Sequence, residues 1–195
     1  MNMRFDQQIK FLVEIDKMKS IYRQTLLIDE SRKETDAEHS WHFAIMSLIL
    51  AEYAGSRIDI NRVIKMALVH DLVEIYAGDT YAYDEVGNAS KEKREQEAAD
   101  CLFSILPKDQ GVLYKKLWEE FDKIESEEAL YANAIDCVQP LINNYMTKGK
   151  SWKENAATSD RVYKRIEKIK KGAPKIYDWI VNLVEESVQK GYLTR

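Results

Sequence analysis

Residues that break secondary structure are scarce in this chain, which has seven glycines and three prolines among 195 residues. Few breakers leave long segments uninterrupted, and with only modest enrichment in β-branched residues the composition favours helices. Cysteine is scarcer still, because Cys101 and Cys137 are the only two, which excludes a disulfide framework. We expect both thiols to be buried, in a protein of the reducing cytosol.

Excess positive charge and long apolar runs are lacking as well. The formal net charge is −4, so no global basic field attracts nucleic acid or an anionic membrane, and an anionic substrate needs a local positive site. The longest apolar run, residues 41–51, contains His42 and Ser47 and is too short to span a bilayer. With no visible signal peptide, we expect a cytoplasmic protein that binds neither nucleic acid nor a membrane.

Hydrophobic residues recur at helical spacing along most of the chain. Helices are predicted over residues 5–22, 41–53, 59 or 60–75, 90–106, 110–121, 126–146, 162–171 and 174–189. Pro140 predicts a kink in the sixth of these helices. Residues 77–88 carry the turn-forming residues of a loop, and no strand-hairpin signature is present. The pattern therefore predicts an all-α fold.

The second predicted helix has features that suggest a central position. Thr35 and Glu38 match a capping box at its N-terminus. The residues behind them are apolar on nearly all faces, which is typical of a helix surrounded by other helices. We therefore predict one domain over residues 1–195, a bundle around a central apolar helix. The C-terminal helices, about residues 158–191, are expected to pack on it.

A basic cluster spans residues 164–171, where lysine and arginine alternate with apolar residues. This pattern is typical of the solvated face of a surface helix. Because the chain is net acidic and carries no nucleic-acid-binding motif, we favour that interpretation over a nucleic-acid-binding patch.

Two of the three histidines lie beside acidic residues in helices that can pack together. His70 and Asp71 lie near the end of an apolar helix, and His39 lies in the first turn of the predicted central helix. Asp136 lies on a mostly apolar helix, where a carboxylate is costly unless it is paired or metal-bound. Each residue alone is explained by a surface pair or a salt bridge, whereas together they favour a metal site. Two imidazoles and two carboxylates suit Mn, Fe, Co or Ni, with zinc as an alternative.

Four blocks of the sequence resemble one known family. They are residues 34–42 (ETDAEHSWH), residues 70–79 (HDLVEIYAGD), a third region over residues 117–136 and residues 149–154 (GKSWKE). In this order they are similar to the HD-domain 5'-nucleotidases, the bacterial deoxyribonucleoside-monophosphate phosphatases with archaeal and eukaryotic relatives. The resemblance implies an HD-domain helical bundle with one metal site between its helices.

The resemblance also implies a role for each matching residue. It implies four metal ligands, His39, His70, Asp71 and Asp136. It implies catalytic acids at Glu74 and Asp79 and a phosphate-binding arginine at Arg23. These roles agree with the chemistry of the side chains, because a carboxylate can orient or deprotonate a water whose pKa a metal lowers, and a guanidinium fork fits phosphate oxygens.

The catalytic acids and the phosphate-binding arginine each also have a simpler interpretation outside the motifs. Glu74 follows His70 by one helical turn, which places it over the metal, but it also suits a plain surface position. Asp79 could protonate the leaving oxygen or position the water, and beside glycine it also suits a turn. Arg23 could cap a helix. The division of roles between Glu74 and Asp79 stays open.

Two neighbouring residues bear on specificity. His42 follows His39 by three residues, a spacing that can suit a metal, but the resembled family has no ligand there, and we interpret His42 as packed or hydrogen-bonded. Gln24 stands where bacterial members with strong deoxyribose preference carry tryptophan. The preference between 2'-deoxyribose and ribose is therefore open.

The expected function is a cytoplasmic 5'-nucleotidase that releases phosphate from (deoxy)nucleoside monophosphates by attack of metal-activated water. The expected cofactor is one divalent ion, Co, Mn, Fe, Ni or Mg, with Zn as an alternative. Another HD phosphohydrolase, acting on cyclic or polyphosphorylated nucleotides, and a non-catalytic helical binding protein are the alternatives. The resemblance implies a homodimer, for which Tyr177, Trp179 and Tyr192 are interface candidates if they do not pack within the chain.

Overall fold

The computed structural model describes residues 3–80 and 90–195, and within them the predicted all-α class is confirmed. The α-helices are α1 (Met3–Glu14), α2 (Asp36–Ile49), α3 (Ile60–Val69), α4 (Glu74–Ala77), α5 (Lys91–Phe103), α6 (Lys108–Lys123), α7 (Glu127–Met146), α8 (Lys150–Glu154), α9 (Ser159–Gly172) and α10 (Pro174–Gln189). Two 3-10 helices span Ile15–Ser20 and Ala51–Tyr53. Most of the loop predicted at residues 77–88 lies outside the described residues. No helix of the two described ranges is long and apolar enough to cross a membrane.

The centre of the bundle is α7, in which 13 of 20 residues are buried. This helix packs against α2, α3, α9 and α10, and Pro140 lies inside it. The apolar helix α2 was expected at the centre, but one of its faces is exposed, with Trp41 64% and Ile49 70% accessible. Cys137 is buried in α7, whereas Cys101 is exposed, contrary to prediction.

The N-terminus of α2 is fixed as the sequence predicts. Thr35 Oγ1 accepts a hydrogen bond from Glu38 N at 3.3 Å, and Glu38 Oε2 accepts one from Thr35 N at 2.9 Å. The confirmed capping box starts the helix one turn before His39, which sets the direction in which that histidine points.

A short β-hairpin, which the sequence analysis did not predict, follows the first helices. Strands β1 (Tyr22–Leu26) and β2 (Lys33–Thr35) pair antiparallel. The helix predicted over residues 5–22 is α-helical only as far as Glu14, and a 3-10 helix over Ile15–Ser20 separates it from the first strand. The side chain of Asn143 in α7 donates to Leu26 O at 3.1 Å, so the hairpin is supported by a distant part of the chain. It carries Arg23 toward α7.

The helix predicted over residues 59 or 60–75 is interrupted. His70 N still bonds to Met66 O at 2.9 Å, but α3 ends at Val69 and α4 begins at Glu74. The intervening turn is closed by Glu74 N bonding to Asp71 O at 2.9 Å. Glu74 therefore reaches the site through a turn rather than along a continuous helical face.

Helix α9 meets α7 at Gly172, where the two backbones approach closely. A Cβ atom at Gly172 would lie 2.2 Å from Leu130 O and 3.0 Å from Ala134 Cβ. Because the nearest obstacle is backbone, which cannot rotate away, this contact fixes the position of α9 against the central helix.

Replacing Gly172 with alanine is expected to lower the free energy of unfolding by about 2–3 kcal/mol, because α9 must move away from α7. Urea unfolding followed by circular dichroism measures the change. Gly191→Ala is the matched control, since Gly191 has φ +68° but nothing within 4 Å of its added Cβ. That control should lose about 1 kcal/mol from backbone strain alone. Equal losses in the two variants would contradict the close-approach argument.

Candidate metal centre

Three helices bring together the four residues predicted to bind metal. His39 comes from the first turn of α2, His70 and Asp71 from the end of α3, and Asp136 from the middle of α7. His39 Nε2 lies 3.1 Å from Asp136 Oδ1, and His70 Nε2 lies 3.0 Å from Asp71 Oδ2. The distances from His39 Nε2 to Asp71 Oδ2 and from His70 Nε2 to Asp136 Oδ1 are both 3.9 Å. All four side chains are buried or nearly so.

The hydrogen bonds behind the histidines direct their lone pairs into this group. His39 Nδ1 donates to Gln139 Oε1 at 3.1 Å, and His70 Nδ1 donates to Ala67 O at 3.0 Å. Both Nε2 atoms are then unprotonated in the neutral rings. Among the described residues the buried His70 Nε2 has no hydrogen-bond partner. Lone pairs facing carboxylates at about 3 Å repel unless a cation lies between them, and this spacing is close to that of adjacent ligands around an ion with bonds of about 2.1 Å. The group therefore fits a divalent metal.

Arg23 lies against a second acidic cluster that shares Asp71 with the first. Carboxylate oxygens of Asp36, Asp71 and Glu74 lie within 4.8 Å of one another. Arg23 Nη1 lies 2.5 Å from Asp71 Oδ2 and 3.4 Å from Asp36 Oδ1, and Arg23 Nε lies 3.8 Å from Glu34 Oε1. The guanidinium is thus held beside the candidate metal ligands, and its charge compensates several buried acids.

Burial separates the protonation behaviour of these acids. It raises the pKa of Glu34 and of Asp36 to about 7, and for Asp36 the charge of Asp71 adds to the effect. Burial and the charges of Asp71 and Asp36 raise the pKa of Glu74 well above its usual value. Asp71 differs, because positive charge nearby, from His70 when its ring is protonated and from Arg23, outweighs the effect of burial and lowers the pKa of Asp71. The two aspartates that face the histidines, Asp71 and Asp136, are therefore held ionised.

A cavity of about 240 Å³ opens onto this group. Its lining includes Arg23, Asp71, Glu74, Asp79 and Asp136. Burial raises the pKa of Asp79, although the nearby charge of Arg23 opposes the shift. All three predicted functional residues outside the ligand group thus face the same cavity as that group.

The basic cluster at residues 164–171 is divided between this cavity and solvent. Lys164, Lys170 and Lys171 are exposed, as the surface-helix interpretation requires. Arg165 and Lys168 instead line the cavity, so for these two residues that interpretation was wrong. Both are adjacent to the buried stripe of α9, which turns their side chains toward α7.

His42 and Gln24 lie beside the site. His42 is half-buried, and its Nδ1 lies 3.4 Å from Gln139 Nε2, in agreement with a hydrogen-bonded histidine. Gln24 lines the cavity, and its Oε1 accepts from Lys33 Nζ at 2.6 Å. Gln24 therefore presents a polar, anchored side chain at the position where bacterial members with strong deoxyribose preference carry tryptophan.

The HD domain family matches residues 15–177 of the chain. This chain belongs to the HD domain family. The membership that the sequence motifs predicted is thereby confirmed.

Known relatives extend this result. The HD domain protein is 30% identical over 135 residues to the 5'-deoxynucleotidase HDDC2 of Mus musculus, and 32% identical over 136 residues to that of Bos taurus. Each match covers 69% of this chain, which spans 66% and 64% of those relatives. The chain also resembles the crystal structure of a predicted metal-dependent phosphohydrolase from Magnetospirillum magnetotacticum MS-1, with a TM-score of 0.94 and 47% sequence identity. That match covers 98% of this chain and 96% of the other.

Sequence reasoning missed several residues around the centre of this HD domain protein. In the sequence, Glu34 and Asp36 belong only to a motif and a helix start, yet both are buried beside Arg23. Gln139 was not singled out, although it follows Asp136 by three residues and so lies on the same helical face. Lys91 also lines the cavity. Spacing signalled Gln139, whereas nothing local distinguished Lys91 from other surface lysines.

Replacing Glu34 with glutamine is expected to change how stability depends on pH. The pKa of Glu34 rises from 4.5 to about 7 on folding. Its protonated form therefore adds stability that is complete below about pH 4.5 and is lost as pH rises through 7. Between pH 5 and pH 8 the free energy of unfolding of the unaltered protein should fall by about 3 kcal/mol or less relative to that of Glu34→Gln.

Urea unfolding at several pH values, with a chelator present, measures this difference. Asp36 and Glu74 titrate in both proteins, so the difference between the two curves isolates Glu34. Parallel curves for the two proteins would show that Glu34 keeps an ordinary pKa.

Proposed function

We propose that this HD domain protein is a metal-dependent phosphohydrolase that removes the 5'-phosphate from nucleoside monophosphates. The observation that carries the proposal is the convergence of two imidazoles and two carboxylates beside Arg23, at a cavity lined by His70, Asp71 and Asp136. The 5'-deoxynucleotidases among its relatives support this substrate class. Because the chain spans slightly less than two thirds of their length, their activity enters here as a proposal.

One divalent metal ion is proposed as the cofactor, with His39, His70, Asp71 and Asp136 as its ligands. The nitrogen and oxygen donors favour Mn, Fe, Co or Ni, with Mg and Zn as alternatives. When bound, such an ion acts as a Lewis acid and lowers the pKa of water. Burial and Arg23 lower the pKa of His39, which keeps its ring neutral and suited to coordination.

Arg23 is proposed to bind the substrate phosphate. Its guanidinium is 13% exposed and faces the cavity next to Asp71. A planar fork of N–H donors can bond two phosphate oxygens at once while retaining contact with the acids behind it. This contact would place the phosphorus beside the ligand group.

Glu74 and Asp79 are proposed to handle protons. A Glu74 oxygen lies within 4.8 Å of Asp71 and of Asp36, so Glu74 is the residue placed to orient and deprotonate the attacking water. Asp79 also lines the cavity but lies outside this acidic cluster, and it is proposed to donate a proton to the leaving 5'-oxygen. These positions support a division of roles that the sequence left open.

A phosphate-release panel tests the proposed function. Purified protein supplied with each candidate metal is assayed on ribo- and 2'-deoxyribonucleoside monophosphates, cyclic nucleotides and nucleoside triphosphates. Metal-dependent release from the 5'-monophosphates is expected, and the ratio of deoxy to ribo rates measures the preference that Gln24 leaves open. Turnover confined to cyclic or polyphosphorylated substrates, or none with any metal, would overturn the proposal.

We propose a homodimer, formed through an apolar stripe on α2. The stripe consists of Trp41, Ile45, Leu48 and Ile49, which are 42–70% exposed and spaced along one helical face. Such a stripe can pair with its own copy about a two-fold axis. Sedimentation should give a dimer, and Ile49→Glu a monomer, whereas a monomeric unaltered protein would contradict the proposal. Trp179 is also exposed and is a second interface candidate.

The predictions of one domain over residues 1–195 and of a cytoplasmic location remain proposals. The packing of α9 and α10 on α7 supports the first of them. A single unfolding transition by two probes and cell fractionation would test them separately.

A further inference from the structure

The cavity wall formed by α9 carries two cations, Arg165 and Lys168, that the proposed function does not use. They lie three residues apart on one face of α9, and both line the cavity. Lys164 on the same helix is exposed to solvent. Position on the helix, rather than composition, therefore brings these two charges to the site.

Lys168 and Arg23 flank the candidate metal centre. Lys168 Nζ lies 3.7 Å from Asp136 Oδ2, whereas Arg23 Nη1 lies 2.5 Å from Asp71 Oδ2. One cation thus borders the group at Asp136 and the other borders it at Asp71. The Lys168 side chain is 31% exposed, so its ammonium keeps access to whatever enters the cavity.

Positive charge beyond that of Arg23 and the proposed metal ion would favour the binding of a phosphate monoester. The monoester brings up to two negative charges into a cavity whose lining already includes Asp71, Glu74, Asp79 and Asp136. Arg23 is partly engaged by the acids that surround it. A lysine beside the ligand group offers three donors on a flexible stem, which suits a phosphate oxygen.

We propose that Lys168 contacts the substrate phosphate from the α9 side, with Arg165 extending the same anion-binding wall. This inference rests on the proposed function for its substrate, a nucleoside monophosphate. It adds a binding residue on a helix distant in sequence from the HD motifs.

Binding of inorganic phosphate to the Co²⁺-loaded protein, measured by calorimetry, tests the proposal without turnover. Lys168→Met should weaken phosphate binding about 10-fold or more, as expected for loss of a charge-assisted hydrogen bond. Lys168→Arg should retain the contact, and Lys164→Met, at an exposed residue one turn earlier that does not line the cavity, should bind as the unaltered protein does. KM for a nucleoside monophosphate should rise in parallel, with a smaller change in kcat.

Two outcomes would overturn the proposal. One is Lys168→Met binding phosphate normally. The other is Lys168→Met losing Co²⁺ affinity to the same extent as phosphate affinity, which would make Lys168 a support for Asp136. Failure of the proposed function is distinguishable, because an unaltered protein that binds phosphate but hydrolyses no nucleotide still allows the variants to be compared.

A buried chain of hydrogen bonds behind His39 carries a second, independent inference. Gln139 is 0% exposed, and its Oε1 accepts from His39 Nδ1 at 3.1 Å. Its Nε2 donates to Glu34 Oε2 at 2.8 Å, and the other oxygen of Glu34 lies 3.8 Å from Arg23 Nε. The hydrogen bonds therefore link a candidate metal ligand to Glu34, and an ion pair without a hydrogen bond links Glu34 to the candidate phosphate-binding arginine.

The order of donors and acceptors in this chain fixes the His39 tautomer. The amide nitrogen of Gln139 donates to Glu34, so its amide oxygen faces His39. An amide oxygen accepts only from N–H, so the His39 proton is on Nδ1 and its Nε2 lone pair faces Asp136. We infer that Gln139 is a positioning residue that holds His39 in its metal-binding tautomer, with Glu34 orienting the amide.

Co²⁺ titration of four proteins tests this inference through affinity and the visible absorption spectrum. Gln139→Leu removes the acceptor at similar volume and should weaken Co²⁺ binding about 10- to 100-fold. The double variant Glu34→Gln with Gln139→Glu restores an acceptor for Nδ1–H and a donor from position 34. It should bind within about 3-fold of the unaltered protein, as should Glu34→Gln alone. Normal affinity and spectrum in Gln139→Leu, or equal loss in the double variant, would overturn the inference.

Discussion

Replacing Asp136 with alanine is expected to abolish phosphate release and to weaken metal binding by roughly 10³-fold or more, beyond the loss typical of residues behind the ligands. Asp136 contributes one of the two proposed carboxylate ligands, and its Oδ1 lies 3.1 Å from His39 Nε2. Burial alone would raise the pKa of Asp136, but nearby positive charge, including that of Lys168, holds it well below the usual value. Without it, two imidazoles and Asp71 remain.

Asp122→Asn is the matched control for Asp136→Ala. Asp122 lines the same cavity but lies outside the proposed ligand group. Its replacement should leave metal affinity within about 3-fold of normal. Circular dichroism should show nearly intact helicity in both variants. Retained turnover in Asp136→Ala, with normal metal content, would remove this residue from the site.

Replacing Glu74 with glutamine is expected to lower kcat about 10²- to 10⁴-fold, which is the usual contribution of a positioned acid or base. The side chain is 5% exposed and belongs to the acidic cluster with Asp71 and Asp36. Glutamine keeps the shape of Glu74 but cannot accept a proton. The affinity for inorganic phosphate should therefore stay near that of the unaltered protein, since the proposed phosphate contact comes from Arg23.

Steady-state kinetics and Co²⁺ titration separate the explanations for such a loss. A fall in kcat with normal Co²⁺ affinity supports proton transfer by Glu74. A parallel loss of Co²⁺ would instead assign Glu74 to metal binding. Asp79→Asn serves as the comparison. We expect its loss of kcat to be smaller for a substrate with an acidic leaving alcohol, because that alcohol needs little protonation.

Much of the fold follows from local signals. The capping box of Thr35 and Glu38 starts α2 where expected. The apolar spacing predicts α7, including its end at Met146. Such signals depend on residues three or four positions apart. Apolar content was a poorer guide to position in the bundle, because α2 is as apolar as a central helix and yet exposes Trp41.

The hairpin around Arg23 could not be predicted in this way. Its strands are short, and the bond from Asn143 to Leu26 O joins residues 117 positions apart. The interruption after Val69 likewise depends on what surrounds the turn. These two departures from helix determine how Arg23 and Glu74 reach the candidate metal centre.

The sequence by itself determined the helical class, the family and the four side chains at the candidate metal centre. Their residue types, spacing and apolar surroundings were enough, because helix formation and burial cost act on neighbouring residues. The tertiary structure alone decided that α7 is central, that Gln139 and Glu34 lie behind His39, and that Lys168 faces the cavity. These contacts join residues far apart in the chain, and local spacing does not determine which helical faces meet.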